Sequence, residues 1–147
     1  MTTISTPSVG SLWHDAGLPA LSRYLAPAGR LLFSAIFLIA GPGHFRATTI
    51  AYAAAQGVPL ASVTVPLSGV LAILGGLSVA LGYKARWGAW LLVLFLVPVT
   101  LMLHRFWGLT DPAAATMQQV MFMKNLALLG TALLMAAVGS GPFSLKP

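Results

Sequence analysis

Three short stretches gather groups able to do chemistry: "GPGHFR" at 41–46, "LMLHRFWGLTDP" at 101–112 and "MKN" at 123–125. They supply His44, Arg46, His104, Arg105, Trp107, Asp111, Lys124 and Asn125. Imidazoles exchange protons, bind metals or hydrogen-bond; cations and amides donate to oxygen; indoles offer a flat apolar face. Groups of this kind suit recognition of a polar head more than bond cleavage. No nucleophile–base–acid set, phosphate-binding loop or carboxylate pair can be read from the chain, so a self-sufficient hydrolase has no support. With no cysteine, disulfides, thiolate metal sites, iron–sulfur clusters and Cys-attached haem are excluded. A carboxylate metal site is equally poor, because the chain has no Glu and Asp111 is the one acid near His44 and His104.

The elements that carry these residues are set by composition. The chain has 147 residues, 58% of them hydrophobic and 7% charged, with mean hydropathy +0.89. A soluble domain carries about 25% charged residues. This chain is made for lipid. Eight Lys and Arg against two acids give a net charge of +6, but the basic residues flank apolar runs and do not form a patch, which fits topology signals and headgroup contacts and gives no support to nucleic-acid binding.

Four apolar segments, about 26–43, 65–83, 87–104 and 117–138, each approach the ~20 residues needed to cross a bilayer as helix. The expected fold is an all-α integral membrane four-helix bundle spanning 26–147. Pro98 is expected to bend the third span without ending it, since neighbouring helices can satisfy the freed carbonyl. Residues 1–25 read as a tail with an interfacial helix and no cleaved signal peptide. The longer outer connection, 46–64, contains "TTIAYAAAQGVP", a short interfacial helix stopped by Gly57. In the second span Ser68, Ala72, Gly76 and Ala80 recur every four residues as a small stripe for close helix packing.

An even number of spans places both termini on one side. That side holds Arg23, Arg30, Lys84, Arg86 and Lys146 against Arg46, Arg105 and Lys124 on the other, so the positive-inside rule places the termini in the cytoplasm of a prokaryotic inner membrane. Alternation also answers why charge gathers at 101–112. The end of the first span, the end of the third and the start of the fourth meet at the outer face, bringing His44, Arg46, His104, Trp107, Lys124 and Asn125 to one level. Asp111-Pro112 is the expected cap and first residue of the fourth helix, which sets Lys124 about three turns inside it. Arg30 is similarly drawn toward the hydrocarbon at the inner end, either snorkelling or meeting a ligand or headgroup.

Three readings of this outer layer stay open. It is an aromatic belt among headgroups, built by Phe45, Phe106 and Trp107. Alternatively, it frames a pocket in which Lys124, Asn125 and a histidine donate to the carbonyl of a quinone or similar amphiphile whose tail lies among the helices. In the third, His44 and His104 ligate haem, for which their positions at helix ends are poor.

The segments "RLLFSAIFLIAGPGHF", "GVP", "LGGLSVALGYKARWGAWLL", "LVPVTLMLHRFW", "FMKNLALLG" and "GPFSL", in this order, resemble the DoxX-like family of small four-helix membrane proteins from about Arg30 to the C-terminus. On that resemblance Arg30, His44, Arg86, His104, Lys124 and Asn125 occupy the recurrent polar positions. Ala72 stands where many members have a glutamate, three residues before Gly75-Gly76, which argues against proton transfer there. The family takes its name from a subunit of a thiosulfate:quinone oxidoreductase, so the resemblance implies redox association and quinone contact. The expectation is a small membrane subunit associated with oxidoreduction, working with a partner subunit or as a homo-oligomer. The alternative is a non-enzymatic anchor or assembly factor.

Overall fold

A computed structural model describes residues 22–146; the tail proposed to carry an interfacial helix lies, up to residue 21, outside the described residues. Helix α1 (Ser22–Ala40) passes into a 3-10 turn, Gly41–Phe45. There follow α2 (Ala47–Ala55), α3 (Ala61–Leu81), α4 (Ala85–Leu103) and α5 (Pro112–Val138). Four elements are long and apolar enough to span a membrane: α1 with its 3-10 extension (Arg23–Phe45), α3, α4 and α5. The short helix α2 lies in the longer connection, as its Ala-rich sequence and terminating Gly57, with φ of +83°, imply. The chain is therefore an all-α membrane bundle.

All four spanning helices begin before their apolar runs, α5 by the most. Helix α5 starts at Pro112 because the Asp111 carboxylate accepts from the backbone N–H groups of Ala113 and Ala114, both at 3.2 Å, satisfying donors that the first turn leaves open. Helix α3 starts at Ala61 and continues through Pro66, while α4 continues through Pro98. Each proline removes one helical N–H without ending the helix, since packing within a bundle holds the flanking turns.

The spans pack in chain order, α1 on α3, α3 on α4 and α4 on α5. Phe33 and Phe37 of α1, Ala72 and Val79 of α3, Leu92 and Leu96 of α4 and Ala132 of α5 form one buried core. The expected small stripe is confirmed at Ala72 and Gly76, but Ser68 and Ala80 are only part-buried. A spacing of four drifts off a 3.6-residue period, and the buried line instead follows Ala61, Val65, Gly69, Ala72, Gly76 and Val79. The tightest α3–α4 contact uses Gly75 and Gly88: a Cβ on Gly75 would lie 2.9 Å from the Gly88 carbonyl, and one on Gly88 3.0 Å from the Gly75 carbonyl.

At the end of the bundle that carries the termini, Arg30 is buried, 4% exposed. Its Nη1 donates to the carbonyls of Ser140 and Pro142 (3.1 Å) and to Ser144 Oγ (2.9 Å), and Nη2 donates to the Phe143 carbonyl (2.8 Å). The segment 139–146 is thereby folded back over α1. It then pairs with the α3–α4 turn, where Lys84 N–H donates to the Lys146 carbonyl (2.8 Å) and Lys146 N–H to the Gly82 carbonyl (3.3 Å). Of the two alternatives for Arg30, a surface-reaching cation or a ligand contact, the observed role is neither: it ties the C-terminal segment down.

A candidate amphiphile cavity at the loop end

At the opposite end, a cavity of about 330 Å³ opens between α3 and α4 beneath α2 and the 57–60 connection. His44 comes from the 3-10 turn, Thr49 from α2, Thr64, Val65, Ser68 and Leu71 from α3, and Phe95, Pro98, Val99 and Met102 from α4. Its roof is held by Ala53, fully buried, which lets α2 seat against Ala61 and Val65 with Ile50, Val58 and Leu103 around it. Lining residues Leu67, Leu94 and Pro98 are also exposed on the outside of the bundle, so the cavity opens sideways toward the surface that lipid would cover. The volume lies within the ~300–1,000 Å³ range of small-molecule sites.

His44 reaches this cavity because of a missing side chain. The 3-10 turn lies against α3 at Gly69, where a Cβ would sit 2.7 Å from His44 Cβ and 3.1 Å from the Gly41 carbonyl. The imidazole is half-buried, its Nδ1 lies 2.8 Å from Ser68 Oγ, and the ring is tilted against Phe95 with centroids 5.4 Å apart. Ser68 in turn donates its hydroxyl hydrogen to the Val65 carbonyl at 2.7 Å. This Ser–His contact is not a nucleophile and base: the only hydrogen of Ser68 is committed to backbone, and Asp111, the one acid among the described residues, caps α5.

Of the six residues expected to form a site, His44 alone lines the cavity. His104, one residue beyond α4, donates from Nδ1 to Gln118 Oε1 (2.9 Å) and so joins the ends of α4 and α5. Trp107 packs edge-on with Phe106 and Phe122, at centroid distances of 5.3 and 5.8 Å. Arg46 is exposed beside the start of α2. Asn125 is buried in the bundle, 6% exposed. Lys124 is exposed, with Nζ 3.2 Å from Met121 Sδ. Taking the level of Gln118 as the outer rim, Lys124 is six residues further along α5, about 9 Å deeper. A lysine stem can return much of that distance to the headgroups.

Ser68, Thr49, Thr64, Phe95 and Pro98 complete the site and were not among the residues expected. Ser68 sits in the small stripe and reads as packing, and Pro98 reads as a bend. No spacing in the chain pairs 44 with 68. The adjacent Gly69 was the one available sign that a neighbour comes close.

The sequence agrees with this architecture. The chain matches the family DoxX over residues 25–105. It is 32% identical over 118 residues to the Inner membrane protein YqjF of Escherichia coli strain K12, covering 79% of this chain and 85% of that one. To the Inner membrane protein YphA of the same organism it is 27% identical over 97 residues, 66% of this chain and 69% of that one. No solved structure matches it. The matched region spans α1 to α4, the elements that build the cavity, together with His44 and its serine partner; this multi-pass membrane chain belongs to the DoxX family.

Proposed function

We propose that the chain is a small membrane subunit associated with oxidoreduction, which holds a quinone-type amphiphile in the loop-end cavity and leaves electron transfer to a partner. The observation that carries this reading is an apolar cavity, open sideways, with one half-buried histidine at its wall. A ring-shaped head fits the volume and lies against Phe95, while an isoprenoid or alkyl tail leaves through the gap at Leu67, Leu94 and Pro98. The link to oxidoreduction comes from the family resemblance, not from a redox group of the chain. With the termini in the cytoplasm of a prokaryotic inner membrane, this cavity serves the outer leaflet.

Gentle purification followed by mass spectrometry of extracted lipids tests the reading. Stoichiometric quinone-type lipid should accompany the wild type and be lost from Val99→Phe, which fills the cavity from α4. Bulk phospholipid alone in both samples would favour the rival, a membrane anchor or assembly factor. One observation supports that rival: α5 buries only Asn125 and Ala132, leaving a long apolar face for lipid or another chain.

A further inference from the structure

We infer that the cavity takes its ligand by a hydroxyl group, so that the bound form is a phenol or hydroquinone and not the corresponding carbonyl compound. This builds on the proposed function above and specifies the chemical state that the site selects. Ser68 spends its single hydroxyl hydrogen on the Val65 carbonyl (2.7 Å), so toward His44 it can only accept. The ring hydrogen is therefore on Nδ1. In a neutral imidazole the other nitrogen, Nε2, then carries a lone pair, and the one side-chain partner of the ring among the described residues, Ser68, is on Nδ1.

The remaining polar side chains of the wall are equally committed. Thr49 Oγ1 donates to the Gly43 carbonyl (2.8 Å) and Thr64 Oγ1 to the Pro59 carbonyl (3.0 Å). Among the described residues, no Arg, Lys, Asn, Gln, Trp or Tyr lines the cavity. Pro98 has no N–H to give the Leu94 carbonyl one turn earlier, and both residues are in the wall. What the cavity leaves open are acceptors, with no side-chain donor. A quinone oxygen entering it gives up water and finds no partner, whereas a phenolic O–H finds His44 Nε2.

Three probes with one alkyl chain separate the outcomes: para-decylphenol, its methyl ether, and decyl-benzoquinone, partitioned into nanodiscs with and without the protein. The phenol should bind about tenfold tighter than the ether, with the quinone as weak as the ether. His44→Phe, which keeps an aromatic ring beside Phe95, should erase that preference. Nitrogen NMR of the histidine-labelled wild type should show the proton on His44 Nδ1 and a bare Nε2. A quinone bound as tightly as the phenol, a preference that survives His44→Phe, or a proton on Nε2 in the free protein would each overturn the inference. Equal binding of phenol and ether that Val99→Phe abolishes removes the hydroxyl inference and keeps the cavity. Failure of all three probes to bind, or binding indifferent to Val99→Phe, removes both.

Discussion

The two ends of the first span treat a polar side chain in opposite ways. At the terminal end Arg30 spends its terminal nitrogens on three carbonyls and a hydroxyl of one segment. At the loop end His44 makes one side-chain hydrogen bond and borders an open cavity. The first arrangement commits both Nη groups, leaving only the buried Nε without a partner, and closes the fold; the second holds a ring nitrogen in reserve beside open space. Burial alone does not separate them as site and non-site, since Arg30 is the more buried of the two. The distinction is whether the chain itself has taken up the atoms that could otherwise meet a ligand, as it has at the two Nη groups of Arg30.

The largest test of this contrast is Arg30→Met. It strips the donor from the carbonyls of Ser140, Pro142 and Phe143, and at about 1–3 kcal/mol for a buried acceptor left unpaired the cost should be on the order of 3 kcal/mol or more. A large drop in Tm in detergent, together with proteolytic release of the tail, is expected; a tail as protected as in the wild type would mean that the Lys84–Lys146 pairing suffices. Next is Gly69→Ala, whose new methyl meets His44 Cβ at a backbone position that cannot swing aside. It should cost about 1–3 kcal/mol and lower phenol binding, read by thermal shift and nanodisc partition together. Binding unchanged despite lost stability would show that His44 does not need this seat.

Ser144→Ala removes one of the Arg30 acceptors and leaves the others, so about 1 kcal/mol should be lost in chemical denaturation, without effect on ligand. The smallest effect should come from Lys124→Met. Since Lys124 does not line the cavity, phenol affinity should stay within about twofold, less than 0.5 kcal/mol. Tenfold weaker binding would return Lys124 to the site and place the head of the ligand nearer α5.

The span count, the short helix of the loop and the Asp111 cap were all legible from local patterns. Each depends on residues within a few positions of one another, as the carboxylate of Asp111 and the N–H groups of Ala113 and Ala114 illustrate. The gathering of polar residues at the loop end was legible only as a level. Alternation of spans tells how deep a residue sits, but not which way it faces around its helix, so Lys124 and His44 looked equivalent. Packing separated them, leaving Lys124 on the uncovered side of α5 and turning His44 into α3.

By itself the sequence determined that this chain lives in a membrane, crosses it as four helices and places His44, His104 and most of its cations near helix ends, because hydropathy and capping act along a single segment. Only the tertiary structure decided that Arg30 closes the fold and that His44 with Ser68 borders a cavity. The physical reason is close approach: glycines at 69, 75 and 88 let backbones touch at angles set by the whole bundle, and those angles choose which side chains meet.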